Sequence, residues 1–161
     1  MKERTKRTKR ALFAAAVIAG IALALIPACK DGPETAQQEQ PEQPKAQSAT
    51  ISLFGGTHAA TVQGTMTDSQ WNGVAGKIET AINNNYQFYI STGSGMADRY
   101  ETVFGRSVII NVEKTPPNYT KWRTTGDGKT MYLNYGKLDT DLNITLDSVI
   151  MRLLRTEADV G

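Results

Sequence analysis

A basic and aromatic face on one predicted β-hairpin is the feature of this sequence that most suggests molecular recognition. Residues 119–135 are predicted to form two strands joined at Asp127-Gly128, a dipeptide typical of tight hairpin turns. A two-residue loop pairs Trp122 with Leu133 and places four other side chains on the opposite side of the ribbon: Lys121, Arg123, Tyr132 and Asn134. Cationic and aromatic groups together suit recognition of carboxylates, sugars or partner proteins. The alternative is an ordinary solvated sheet face.

Residues that would support catalysis are sparse. His58 is the only histidine, and its place after a Gly55-Gly56-Thr57 turn favours an exposed turn residue over a general base. Asp98 and Glu101 share one side of a predicted short helix, but the paired carboxylates of glycosidases normally flank a cleft from different elements. The sequence therefore predicts a protein that is not an enzyme, with a hydrolase as the alternative.

Residue counts restrict metal and redox chemistry. The chain has one cysteine, Cys29, and one histidine, so an intramolecular disulfide is impossible. A zinc site built from cysteine and histidine is excluded by the same count, because such sites need three or four ligands. Asp127-Gly128 and the pair Asp139 and Asp141 are similar only to fragments of calcium loops, because the twelve-residue loop with its final glutamate is absent. No metal and no cofactor is predicted.

Cys29 ends a three-part export signal. Residues 1–10 are basic, residues 11–26 form an uncharged apolar run, and Ala28 is the small residue directly before the cysteine. This arrangement resembles the lipobox of bacterial lipoproteins, although Ile26 and Pro27 depart from its usual residues. The resemblance implies cleavage before Cys29 and lipid attachment to its thiol. The alternatives are a plain secretory signal with an incidental cysteine and an uncleaved anchor, whose sixteen apolar residues are short of the roughly 20 that span a bilayer.

A polar tether is predicted to follow the lipidated cysteine. Residues 30–48 consist largely of Gln, Glu, Pro, Lys and Ala and contain no aromatic residue. Such a segment buries too little apolar surface to offset the entropy lost on ordering, so it is predicted to be disordered. The predicted organisation is a signal peptide over 1–28, lipidated cysteine and tether over 29–48, and a globular domain over 49–161.

The charge distribution argues against nucleic-acid binding. Residues 1–10 hold six of the 18 basic residues and one of the 16 acidic residues. The chain after the signal peptide therefore keeps 12 basic and 15 acidic residues, a net charge of −3. A basic footprint is the first requirement for binding a phosphate backbone, and this chain does not have one.

The globular part is predicted to be a single α+β domain with a largely antiparallel sheet and two amphipathic helices packed on one face. Short turns connect most of the predicted strands, which favours antiparallel pairing. A capping box at Thr67 and Gln70 begins the first helix, and an Asn83-Asn84-Asn85 run is predicted to end it. Thr145 is the candidate N-cap of the second. The other predicted elements are strands at 50–54, 59–66, 86–90 and 106–113 and a short helix at 96–104.

Two segments of the globular part resemble small lipoproteins of unknown role in treponemes and related spirochaetes. These segments are residues 108–116, with the sequence VIINVEKTP, and residues 125–132, with the sequence TGDGKTMY, together with Trp122 between them. The resemblance covers roughly the last hundred residues and implies an envelope lipoprotein. It implies no activity and no catalytic residues.

These features together predict a membrane-anchored envelope lipoprotein that presents a small, non-enzymatic binding domain. Its lipid on Cys29 would hold it on the periplasmic or outer-surface side of a bacterial membrane. Its partner is expected to be a protein or a glycan. The alternatives are a hydrolase of an envelope polymer and a lipid carrier with a pocket between helices and sheet.

Overall fold

The computed structural model describes residues 41–158, with side chains for residues 41–155. Cys29, the predicted export signal and most of the predicted tether lie outside these residues. The strands are β1 Lys45–Leu53, β2 His58–Met66, β3 Ile109–Glu113, β4 Trp122–Thr124 and β5 Thr130–Asn134. The helices are α1 Asp68–Trp71, α2 Val74–Thr92, α3 Met96–Phe104 and α4 Leu142–Ala158. The predicted α+β class and single domain for the globular part are confirmed.

One mixed sheet holds all five strands in the order β1-β2-β3-β5-β4. The outer pairs, β1 with β2 and β4 with β5, are antiparallel. The inner pairs, β2 with β3 and β3 with β5, are parallel. Antiparallel pairing extends over more residues than parallel pairing, as predicted. The β2–β3 pair is parallel because α1, α2 and α3 carry the chain from one strand to the next. The β3–β5 pair is parallel because the intervening strand β4 runs antiparallel to β5.

The helices cover one face of the sheet, as predicted, and this layer includes α3, the helix predicted as a short one, beside the two longer helices α2 and α4. α2 packs on β1, α3 on β2 and α4 on β4, and the three helices also contact one another. Alternate strand residues face them and are buried, because successive side chains of a strand point to opposite faces. The buried strand residues include Ile51, Leu53, Val62, Ile110, Val112, Met131 and Leu133, and the buried helix residues include Ile78, Ile82, Tyr100, Phe104, Leu146 and Ile150.

The first strand begins earlier than predicted. β1 starts at Lys45, so the last four residues of the predicted disordered tether belong to the sheet. Their side chains are mostly exposed, which explains why composition alone suggested a tether. Backbone pairing with β2 orders them, and Lys45 Nζ adds an ion pair of 2.7 Å to Asp68 Oδ2.

The predicted capping box is present, but the helix that it begins is interrupted. The Gln70 amide donates to Thr67 Oγ1, and the Thr67 amide donates to Gln70 Oε1. Gly73, whose φ is 80°, then interrupts the helix and separates α1 from α2. α2 continues through the asparagine run to Gly93, a left-handed residue that ends it. The strand predicted at residues 86–90 is therefore wrong.

The two later helices differ in how well they were predicted. α3 spans the predicted residues. α4 begins at Leu142, so Thr145 is not its N-cap: the Thr145 amide donates to Asp141 O within the helix, and its side chain is buried.

Candidate functional site

The predicted register of the β4–β5 hairpin is confirmed. Trp122 pairs with Leu133, and Arg123 pairs with Tyr132. The Thr125 amide donates to Thr130 O beyond the last pair of the ladder. Because Leu133 is buried under the helices, Arg123 and Tyr132 lie on the opposite face of the sheet, which the helices leave uncovered. We call this surface the open face.

Arg123 is the centre of an aromatic and acidic cluster on the open face. Its guanidinium carbon lies 3.4 Å from the centroid of the Tyr132 ring and 5.8 Å from that of Tyr119. Its Nη2 lies 3.4 Å from Glu113 Oε1, and the Tyr119 hydroxyl donates to Glu113 Oε2 at 2.8 Å. Burial, followed by the hydrogen bond to Glu113, raises the pKa of Tyr119 above its usual range, so the phenol stays protonated as a donor.

The other two residues of the predicted binding face serve the local structure. Lys121 Nζ pairs with Asp141 Oδ2 at 3.2 Å, just before α4. Asn134 Nδ2 donates to Thr120 O at 2.6 Å, and its Oδ1 accepts from the Gly136 amide at 3.0 Å. The structure thus brings Arg123 and Tyr132 together but gives Lys121 and Asn134 partners of their own.

A row of polar side chains crosses the open face from one edge of the sheet to the other. The strand registers align Ser48 with Gln63, Gln63 with Asn111, Asn111 with Tyr132, and Tyr132 with Arg123. We call these five residues the polar row. Gln63 Nε2 donates to Asn111 Oδ1 at 2.8 Å, which fixes the orientation of both amides. Only Arg123 and Tyr132, at one end of this row, were predicted from the sequence, because the other three residues lie on strands distant in the sequence.

Two shallow depressions lie along the polar row and form one groove. One, of about 370 Å³, is lined by Ser48 and Gln63, and the other, of about 350 Å³, is lined by Glu113, Pro117 and Tyr132. The residues that both depressions share are Gly64, Thr65 and Asn111. We call the combined depression the sheet groove. The loop after β3 forms one of its walls through Pro117.

The sheet groove is polar but nearly balanced in charge. Glu113 is paired with Arg123, and Lys114 is a further charged residue of the lining. The other polar groups of the lining are hydroxyls, including that of Tyr132, and side-chain amides, which donate and accept hydrogen bonds without carrying charge. Such a lining suits a neutral ligand rich in hydroxyl or amide groups.

The residues considered for catalysis lie apart from this groove. His58 is only partly exposed; its Nδ1 lies 2.9 Å from Thr57 Oγ1, and its ring lies 5.2 Å from that of Phe54. Glu101 accepts a hydrogen bond from the Tyr86 hydroxyl, and Asp98 is exposed on α3. None of the three lines the two depressions of the groove.

A further depression, of about 510 Å³, lies on the helix side of the sheet between α3, α4 and β4. Three arginines line it, Arg99 from α3 and Arg152 and Arg155 from α4. Trp122 contributes an aromatic wall. We call it the arginine cleft. Sequence reasoning missed it because Arg99 lies far along the chain from the other two, although Ser148, Arg152 and Arg155 follow the helical spacing of one face of α4.

Asp147, an acidic residue that also lines the arginine cleft, is held by two tyrosines. The Tyr89 hydroxyl donates to its Oδ2 at 2.5 Å, and the Tyr100 hydroxyl donates to its Oδ1 at 2.7 Å. Burial, followed by the hydrogen bond to Asp147, raises the pKa of Tyr89 to about 12. Both phenols therefore remain protonated donors at neutral pH.

Comparison with protein-family models, with curated proteins and with solved structures found no match. The resemblance to spirochaete lipoproteins therefore stays a prediction. Within residues 41–158, no helix is long and apolar enough to cross a membrane, and no group of three or more potential metal ligands occurs.

Proposed function

We propose that this chain is a bacterial envelope lipoprotein whose globular part is a non-enzymatic binding domain. Support for the anchor comes from the basic, apolar and small-residue order that precedes Cys29. Lipid on that cysteine holds the domain at a membrane surface, on the periplasmic or outer side. Two or more acyl chains give stable attachment, since a single chain binds only marginally.

The binding surface in this proposal is the sheet groove, and its ligand is a glycan. The observation that carries the proposal is the polar row, which sets five hydrogen-bonding side chains side by side across five strands. Strands hold side chains at fixed spacing, so the row is organised before a ligand arrives. A sugar chain offers hydroxyl and amide groups along its length, and these match such a row.

Charge pairing favours a glycan over an acidic partner. Arg123 is paired with Glu113, and Lys121 is paired with Asp141, so binding a carboxylate at either cation would break an existing interaction. The amide pair of Gln63 and Asn111 carries no charge and keeps unused hydrogen-bonding capacity, because each side-chain amide can make up to four hydrogen bonds.

The groove is tested by removing its central amides. The double variant Gln63→Ala/Asn111→Ala removes both amides together, so neither is left without its hydrogen-bond partner. We expect it to weaken glycan binding at least tenfold. Asn84→Ala/Gln87→Ala removes two exposed amides from α2 instead and should bind as the unmodified chain does. The full chain in non-ionic detergent is applied to immobilised N-acetylglucosamine oligomers and to isolated cell-wall glycan. Equal binding by both double variants, or no binding by the unmodified chain, would contradict the proposal.

The anchor is tested at Cys29. Cells grown with labelled palmitate should label the unmodified chain but not Cys29→Ala, which should also leave the membrane fraction. Protease treatment of intact cells, with lysed cells as the control, then distinguishes the two sides of the envelope. Loss of the domain from intact cells indicates the outer surface, and loss only after lysis indicates the periplasm. A Cys29→Ala protein that keeps its label would refute lipidation at this residue.

A further inference from the structure

We infer that the arginine cleft is a second binding site, which takes a small organic oxyanion, a phosphate or a carboxylate attached to an aromatic or alkyl body. The site is independent of the sheet groove, because Trp122 pairs with Leu133 on the helix-covered side of the sheet, opposite Arg123. Its volume of about 510 Å³ falls in the range of small-molecule sites, which is about 300–1,000 Å³.

The anion would be bound chiefly by Arg99 and Arg155. The side chain of Arg99 contacts two sulfur atoms, Met151 Sδ at 2.8 Å and Met96 Sδ at 3.6 Å. Thioethers are weak acceptors, so the five N–H donors of this guanidinium keep most of their capacity. Among residues 41–155, whose side chains the structure describes, neither Arg99 nor Arg155 has a carboxylate partner at ion-pair distance. A guanidinium matches the geometry of carboxylate and phosphate oxygens with two parallel hydrogen bonds.

The electrostatic balance of the cleft favours an anion. Without counting Arg152, which has an interaction of its own, the guanidinium groups of Arg99 and Arg155 lie with one carboxylate, that of Asp147. Both oxygens of this carboxylate already accept hydrogen bonds from Tyr89 and Tyr100, so it is held in place beside the helices. The cleft therefore carries an excess of positive charge in a chain whose part beyond the signal peptide is acidic overall.

The apolar wall indicates that the ligand has a hydrophobic body. Trp122, Met96 and Met151 line the same cleft as the arginines. An indole ring stacks on flat groups, and the flexible thioether side chains adapt to irregular shapes. An inorganic anion would leave this wall without a contact, whereas an aryl or alkyl oxyanion uses both parts of the site.

The test titrates the full chain, in non-ionic detergent, with phenyl phosphate, benzoate, inorganic phosphate and benzyl alcohol. The indole N–H resonance of Trp122, assigned with a Trp122→Phe variant, reports binding. We expect saturable shifts with phenyl phosphate or benzoate at concentrations at least tenfold below those needed for the other two probes. Arg99→Gln and Arg155→Gln should each weaken this binding about tenfold. Lys129→Gln, which removes a positive charge from the β4–β5 loop, should leave the affinity unchanged.

Three results would overturn the inference. The first is the absence of a saturable shift with either aryl anion. The second is equal affinity for phenyl phosphate and inorganic phosphate, and the third is an equal effect of Arg99→Gln, Arg155→Gln and Lys129→Gln, because both indicate attraction by net charge alone. Arg155→Lys keeps the charge but not the paired donors, and it should bind with intermediate affinity. Failure here leaves glycan binding in the sheet groove unaffected, because the two sites share no residue.

Discussion

The phenolic oxygen of Tyr100 lies 2.7 Å from Oδ1 of Asp147 and links α3 to α4 within the helical layer. Asn85 extends the link to α2, because its Nδ2 donates to the Tyr100 oxygen at 2.9 Å and to Asn143 O at 3.0 Å. Tyr100 is fully buried, and this burial is the largest cause that raises its pKa. One polar network thus joins α2, α3 and α4, in addition to their apolar packing.

Removing the Tyr100 hydroxyl should destabilise the fold. Tyr100→Phe leaves Asp147 with one tyrosine donor and Asn85 without one of its acceptors, and we expect the free energy of unfolding to fall by about 1–2 kcal/mol. Urea denaturation followed by circular dichroism measures this change. Tyr89→Phe is the matched control; because Tyr89 is only partly buried, its loss should be smaller. A larger loss for Tyr89→Phe than for Tyr100→Phe would contradict this account of the network.

Asp127 should make stability depend on pH in the acidic range. Desolvation raises its pKa, but hydrogen bonds from the hydroxyls of Thr125 and Thr130 and from the amides of Lys129 and Thr130 outweigh it, so the pKa lies well below its usual range. Folding therefore favours the ionised carboxylate. Its stabilisation is present above the unfolded pKa of about 3.9 and is lost as pH falls through the lower folded value.

The comparison that checks this is Asp127→Asn. Asparagine keeps an oxygen that accepts from the two amides but has no charge to lose, so the unmodified chain should be more stable at pH 7. The difference in urea midpoint should shrink as the pH is lowered from about 5 to about 2. A difference that stays constant over this range would show that the charge of Asp127 does not contribute.

Asn83 should contribute more to stability than its neighbour Asn84. Asn83 Oδ1 accepts from the Phe54 amide at 2.9 Å, and its Nδ2 donates to Ser52 O at 3.2 Å, so it connects α2 to the turn after β1. Asn83→Ala should lower the free energy of unfolding by about 1–2 kcal/mol, since two hydrogen bonds are lost. Asn84 is exposed, and Asn84→Ala should be neutral or slightly stabilising because alanine favours helix. Equal changes in the free energy of unfolding for Asn83→Ala and Asn84→Ala would show that the Asn83 hydrogen bonds do not stabilise the fold.

The same asparagines explain why the sequence misled on α2. An asparagine run ordinarily ends a helix because its side chains compete for the local backbone. Here the side chains of two of the three, Asn83 and Asn85, bond to other elements and so do not compete for the local backbone. The alternation that predicted a strand at 86–90 placed Phe88 and Ile90 with Tyr86, yet both are exposed on the helix. Contacts with other elements decide whether such a run ends a helix and whether residues 86–90 form a strand or a helix. A single sequence does not show those contacts.

The features predicted correctly from the sequence are those that depend on neighbouring residues. The Thr67–Gln70 capping box and the pairing of Trp122 with Leu133 depend on residues close in the sequence, and both are confirmed. The polar row and the arginine cleft each combine residues from distant segments, so no local pattern contains them. For the candidate sites, sequence reasoning therefore identified Arg123 and Tyr132 but neither the groove nor the cleft around them.

Two glycines at the start of α2 should respond to alanine in opposite directions. A Cβ atom at Gly76 would meet nothing within 4 Å, and glycine is about 1 kcal/mol less favourable than alanine in a helix. Gly76→Ala should therefore raise the free energy of unfolding by about 0.5–1 kcal/mol, somewhat less than in mid-helix because Gly76 lies in the first turn. Gly73 also has open space around it, but its φ of 80° is one that alanine adopts only with strain.

Gly73→Ala should consequently lower the free energy of unfolding by about 1–2 kcal/mol. Neither substitution makes a new steric contact. Comparing Gly73→Ala with Gly76→Ala therefore measures the effect of backbone conformation without a contribution from packing. Thermal and urea unfolding of the two variants measure the effects side by side. If Gly73→Ala proved as stable as the unmodified chain, the break between α1 and α2 would not require a left-handed residue, and one continuous helix from Asp68 would be accessible to this sequence.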